Sequence, residues 1–293
     1  VLSWRIGEVT VTRVVEMEMP VAHNPRRAFL AEATPEALRE IPWLYPHYVT
    51  PEGHLRLSIH ALLVEAPGLR LVVDTCIGND RPRSLVGGQA LSTDFLESFE
   101  ATGWTRESVN AVVCTHLHVD HVGWNTMRDG DRWVPTFPKA RYLIGRREYD
   151  HWSAEGDAEQ QVILSDSIRP VFDAGLVDLV EMDHVISPEV RLVPTPGHTP
   201  GHVSVRIESA GEVGLITGDM VHHPCQLAHP EWSPPFDSDP AASAAMRRSI
   251  FESTAEQPVL VIGTHFAAPT AGLVRREGDA FRFEGAPSEP PVA

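Results

Sequence analysis

Apolar and polar residues alternate along WRIGEVTVTRVVE (4–16), the period of a half-buried strand. LSIHALLVEA (57–66) and LRLVVDT (69–75) are nearly continuous apolar runs split by Pro67-Gly68, and they predict a hairpin. Shorter runs predict single strands at NAVVCT (110–115), ARYLIG (140–145), VRLVPT (190–195), HVSVRIES (202–209), VGLITGD (213–219) and PVLVIGTH (258–265). GLVRREGDAFRFE (272–284) predicts a last hairpin, turning at Gly278-Asp279. Helical spacing marks STDFLESFEATG (92–103), with an N-cap at Ser92 or Thr93, then RREYDHWSA and LSDSIRPVFDAG. The clearest helix is DPAASAAMRRSIFESTAE (239–256), where Asp239 is placed as the N-cap and Pro240 in the first turn.

Strand pairs therefore lie at both ends, and helices fall between single strands. That mixture predicts an α/β (α+β) fold of two mixed sheets with helices outside. Residues 17–57 hold no sustained period apart from a short helix at PEALREIP. So long a stretch reads as a functional loop or cap, or as a segment buried in a homodimer interface. No repeat or Ser/Gly-rich linker divides the chain, so one domain is expected over 1–285, followed by a frayed tail at 286–293.

Composition narrows the class. With 293 residues, 42% of them hydrophobic, the chain can bury a sizeable core. Its 25 prolines cluster at 188–200, 224–240 and 286–291, which suggests long ordered loops. A formal charge of −16 repels phosphate backbones and disfavours nucleic acid as a partner. No apolar run approaches the roughly 18 residues of a membrane span. Cys76, Cys114 and Cys225 are odd in number and widely spaced, so they read as buried free thiols in a reducing compartment and favour a cytoplasmic location. The chain begins at Val1 rather than methionine, an opening consistent with a trimmed N-terminus.

The candidate chemistry sits at strand ends, where layered α/β folds gather their sites. THLHVDH places His116, His118, Asp120 and His121 directly after the apolar run AVVC, and His198, Asp219 and His265 each follow another apolar run. A lone histidine is usually a core or surface residue, but four metal-binding types within six positions are not explained that way. Imidazole and carboxylate suit zinc and other first-row metals, manganese and cobalt included. Seven donors exceed one tetrahedral site and fit two divalent ions. His116, His118 and His198 would hold one ion, Asp120, His121 and His265 the other, with Asp219 shared. Such a pair would activate a hydroxide for hydrolysis. His202 rivals His198 but opens a strand and reads as a packing or hydrogen-bonding residue. Asp74, at the end of LVVD, is either a turn residue or a carboxylate orienting a ligand histidine.

These stretches resemble the metallo-β-lactamase superfamily: VVDT (72–75), THLHVDHVG (115–123), TPGHTPGH (195–202), TGD (217–219) and GTH (263–265) occur in its order. The resemblance implies an αββα sandwich, a dinuclear zinc centre and the same ligand roles. The alternatives on this scaffold are a β-lactam hydrolase, which the aspartate at 219 disfavours, and an iron-dependent oxidoreductase, disfavoured by His118 where flavodiiron-type enzymes usually carry glutamate. Neither the added domain of the nuclease branches nor the basic helical domain of glyoxalase II-like enzymes is visible. The layout is nearest to methyl-parathion-hydrolase-like and N-acyl-homoserine-lactonase-like enzymes. It implies a hydrolase of small apolar esters, lactones or organophosphate triesters, attacked by metal-bound hydroxide. A typical lactonase has tyrosine three residues after the bridging aspartate, where this chain has His222. Asp120 and His222 are accordingly the expected catalytic residues beside the metals. Trp124 and Phe266, which flank ligands, are the expected walls of the substrate pocket.

Overall fold

A computed structural model describes residues 1–288; the end of the expected tail, 289–293, lies outside the described residues. Two large sheets face each other. The first has seven strands in the order Leu2–Ile6, Val9–Val21, Leu55–Ala66, Leu69–Val73, Ala111–Cys114, Arg141–Gly145 and Val177–Val180. The second has six, running from Val190–Pro194 through Val203–Ser209, Glu212–Ile216, Val259–Ile262 and Ala271–Glu277 to Ala280–Gly285. Both sheets are mixed. In the first, Ala111–Cys114 lies parallel to both its neighbours, and in the second Glu212–Ile216 lies parallel to Val259–Ile262.

The near-continuous apolar runs are explained by burial on both faces, as expected for central strands under helices. Leu71, Val73 and Val113 point inward and meet Val205, Ile207, Ile216 and Ile262 of the second sheet. Val72 and Val112 point outward, against Phe95, Phe99 and Phe137. On the far side of the second sheet, Leu215, Val261 and Val274 pack against Phe251 of the helix Pro240–Thr254. The layers are therefore helix, sheet, sheet, helix, the sandwich the sequence predicts.

Several elements differ in detail. The alternation over 4–16 is two strands, because Gly7 turns the chain with φ 59°. The helix expected over 92–103 covers Phe95–Glu100, and its N-terminal residue is Asp94 with no side-chain cap, so neither Ser92 nor Thr93 caps it. The helix expected from Leu164 is interrupted, with a π-helical stretch at Leu164–Ile168 before Arg169–Asp173. A hairpin of Thr126–Asp129 and Arg132–Pro135 and the edge strand Val177–Val180 were not foreseen. Asp239 does cap Pro240–Thr254, accepting from Ala242 N.

The segment after Val21 folds back on its own chain. Leu30, Leu38, Leu44 and Tyr48 are buried against Trp232, Phe266 and Phe281, so these apolar residues of the segment are used within the chain. All three cysteines are free and buried, and burial pushes the Cys114 thiol up to about 12. No helix among the described residues is long and apolar enough to cross a membrane.

Candidate metal centre

The motif after Cys114 leaves the strand in a tight turn. His121 N donates to His118 O, and Trp124 N and Gly123 N donate back to Thr75 O and Cys76 O. Only glycine fits at 123, since a Cβ there would lie 1.9 Å from the Ile77 carbonyl. The turn beside it is strained: Asp74 and Cys76 carry positive φ of 58° and 53°, as often happens at functional sites. That conformation swings the Asp74 carboxylate under the motif. Its Oδ1 accepts from Thr115 N, and its Oδ2 accepts from Thr115 Oγ1 and His121 Nδ1, all at 2.8 Å.

All seven residues expected as ligands converge. His116 Nε2, His118 Nδ1 and His198 Nε2 form a triangle with sides of 2.9, 3.0 and 3.2 Å. Asp120, His121 and His265 form a second group, with Nε2 of His121 and of His265 at 3.6 and 3.5 Å from the Asp120 carboxylate. Asp219 stands between the groups. Its Oδ2 lies 3.2 Å from His121 Nε2, 3.6 Å from His198 Nε2 and 3.8 Å from His116 Nε2, and its Oδ1 lies 3.1 Å from His265 Nε2.

Outer partners fix which imidazole nitrogens carry protons. His121 gives its Nδ1–H to Asp74, His198 gives its Nδ1–H to Asp237 at 2.8 Å, and His265 gives its Nδ1–H to Ser58 O at 3.0 Å. Each Nε2 therefore presents a lone pair to the cluster. His121 Nε2 and Asp219 Oδ1 are buried without a hydrogen-bond partner. Lone pairs and carboxylate oxygens at such separations repel unless a cation lies among them, so the donor set fits divalent metal.

The electrostatics agree. Burial, reinforced by neighbouring imidazoles, holds His116, His118 and His198 well below the ordinary histidine range, so they stay neutral. Burial acts the same way on His121 and His265, but Asp219 overrides it and raises both, helped at His121 by Asp74 and Asp120. Asp219 would rise on burial, yet His121, His265 and His222 hold it well below the usual carboxylate range. The field that draws protons to His121 and His265 also draws a metal cation.

Four residues brace this centre. Glu148, on the helix Arg146–Glu155, is buried and accepts from Leu117 N, Gly201 N, Thr199 Oγ1 and Trp152 Nε1. It ties the His116–His118 loop to the loop carrying His198, and burial raises its pKa against those bonds. Arg247 is fully buried and donates to the Pro230, Trp232 and Met220 carbonyls, with its NH1 3.5 Å from Asp237. Asp237, beneath His198, is thus held from the same side as the 230–233 loop. His202 is not in the ligand cluster: its Nε2 accepts from Asp219 N at 2.8 Å and its Nδ1 donates to Thr195 O.

Trp124 and Phe266 do not wall an open pocket. Trp124 is buried, stacked on Phe95, and donates its indole N–H to Glu16; Phe266 is buried among Tyr48 and Phe283. Flanking a ligand in sequence does not fix the side a ring takes. The aromatic surface beside the donors comes from elsewhere. Phe29 and Phe236 are 5.6 and 5.4 Å from the His222 ring and 5.5 Å from each other, and Trp152 is 5.3 Å from His118. Phe236 and Asp237 follow PP in an aperiodic loop, and Phe29 lies in another. Glu148 had one legible sign, a position four residues before Trp152 on one helical face.

The family model described as metallo-beta-lactamase superfamily matches residues 55–265. The chain belongs to this superfamily. An N-acyl homoserine lactonase of a Bacillus species is 27% identical over 217 residues, which span 68% of this chain and 78% of the lactonase. The crystal structure of AbOPH, a hydrolase in the beta lactamase superfamily, aligns with a TM-score of 0.81 at 23% identity, over 99% of this chain and 98% of that one. AidC, a dizinc quorum-quenching lactonase in complex with a product, aligns with a TM-score of 0.80 at 17% identity, over 98% of each chain. These two superpositions establish the superfamily fold across nearly the whole chain.

Proposed function

We propose that this superfamily member is a metal-dependent hydrolase of small, largely apolar lactones and related esters, working with two divalent ions, zinc foremost. One observation carries the reading: two groups of three donors share Asp219, and Phe29 and Phe236 border them. The relatives named as lactonases support the substrate class. Divalent ions in such a site lower the pKa of a bound water to about 7 and polarise a carbonyl or phosphoryl oxygen.

The chain's own residues position and protonate. His116, His118 and His198 would hold one ion and Asp120, His121 and His265 the other, with Asp219 placed to be shared between them. Asp74, Asp237 and Ser58 O keep three of the imidazoles in the binding tautomer. Asp120 is the more open of the two carboxylates, 16% exposed against 4% for Asp219, and takes the proton of the attacking water on a carboxylate oxygen. His222 offers an N–H to the departing oxygen. Phe29 and Phe236 shelter the apolar part of the substrate from water.

The test is kcat/KM of the zinc-loaded protein on an acyl lactone and on a p-nitrophenyl dialkyl phosphate. We expect the lactone to lead by about a thousandfold, roughly 4 kcal/mol of transition-state discrimination. A leading triester would favour the second reading, an organophosphate hydrolase, which has His222 in place of tyrosine on its side. Absence of turnover on both would overturn the assignment.

A further inference from the structure

His222 stands outside the seven donors, yet it is built like one of them. It is 1% exposed, and neither ring nitrogen has a hydrogen-bond partner. Its ring is packed edge-on against Phe29 and Phe236, which offer no polar atom. Its backbone is fixed, with the N–H groups of His222 and His223 both donating to Gln226 Oε1. Its Nε2 lies 3.2 Å from Asp219 Oδ2, the same separation that His121 Nε2 keeps from that oxygen. Donor atoms of His198, Asp219 and His222 all lie within 4.8 Å of one another.

A buried imidazole with two unsatisfied nitrogens is rare unless something fills one of them. Apolar rings on one side and Asp219 on the other leave a cation as the partner that suits an inward lone pair. We propose that His222 is itself a metal ligand, the eighth donor of the centre, binding through Nε2 beside His198 and Asp219. The inference rests on reading the site as a metal centre and deepens the role given to His222. Ligation through Nε2 leaves Nδ1–H as its proton-bearing nitrogen.

Four imidazoles and a carboxylate around one position exceed the four ligands of a tetrahedral zinc site. Such a set favours an ion that accepts five or six ligands, so the histidine-rich position should tolerate cobalt, manganese or nickel well.

The experiment needs no turnover. Metal-free wild type, His222→Phe and His222→Ala are titrated with Co2+, followed by visible absorption, and with Zn2+ by calorimetry. Wild type should take up two ions per chain. His222→Phe, which keeps a ring between Phe29 and Phe236, should bind one ion at least about tenfold more weakly and leave the other unchanged. Its cobalt absorption should be stronger, since losing a ligand lowers the coordination number. His222→Ala should lose the same ion, and added imidazole should restore the wild-type spectrum, which gives a second variant should the phenylalanine protein fail to fold. Unchanged spectra and affinities in the variants would overturn the ligand assignment and leave the metal centre standing. A wild type that binds no Co2+ would overturn both.

Discussion

Asp237 Oδ1 accepts the Nδ1–H of His198 at 2.8 Å, and both side chains are wholly buried. The contact fixes the tautomer that turns His198 Nε2 toward His116 and His118. Asp237→Asn keeps the shape but removes the charge that makes the imidazole a stronger base. We expect metal affinity at this position to fall about 10- to 100-fold, read by competition with a chromophoric chelator. Equal affinity would reduce Asp237 to a packing residue.

Glu148 draws four donors from two loops into one buried carboxylate. Glu148→Ala would leave these donors unpaired in a dry interior, at a cost of about 3 kcal/mol or more. The urea midpoint should drop with an unchanged slope. Glu148→Gln, which still accepts but brings an N–H into a ring of donors, should fall between. A midpoint unmoved by either change would sink the idea that this residue holds the loops together.

Phe29 and Phe236 approach each other over His222 from distant parts of the chain. If they cover the apolar part of a substrate, Phe236→Ala should raise KM for a long-chain acyl lactone about tenfold, near 1.4 kcal/mol of lost contact. A short-chain lactone should hardly notice. The chain-length dependence is the measurement, and a uniform loss across chain lengths would contradict the assignment.

His223 is neutral by construction. Its Nε2–H donates to Tyr48 O and its Nδ1 accepts from Cys225 N, so a second proton would oppose an N–H. Burial brings its pKa from 6.5 down to about 4. The unfolded chain then binds this proton first as pH falls. Stability is intact above about 6.5, declines as pH drops, and has lost the full contribution below about 4. At pH 5 the loss is about 2 kcal/mol. Urea unfolding of the metal-free protein at pH 7.5 and 5 should show a decline that His223→Gln, a side chain that can also donate to Tyr48 O, makes shallower.

Much of this was legible because the candidate ligands sit where strong patterns stop. The apolar run before His116 has to be a buried strand, and the residues after it have to turn. Asp219 and His265 follow similar runs, though their strands end at Ile216 and Ile262, a few residues before each ligand. The helix at Pro240 was announced by its cap. What the sequence concealed lies where local pattern carries no direction. The alternation around Gly7 continues through a turn as readily as along one strand. Trp124 and Phe266 share their neighbourhood with ligands yet face the core, because a tight turn sends adjacent side chains to opposite sides. Phe29, Phe236 and Asp237 come from aperiodic loops whose meeting is a product of the tertiary fold.

The guanidinium of Arg247 grips the 230–233 loop and faces Asp237, and Asp237 in turn sets His198. If Phe236 walls the substrate and His198 holds an ion, shape selection and ion retention hang from a single peg. A chain drifting toward bulkier or smaller substrates cannot reshape that wall freely, because a shift large enough to admit a new guest loosens the grip on an ion. The Phe29 side is held to the centre by ring contacts with His222 and Phe236 rather than by a buried charge, so a change there should disturb the ions less.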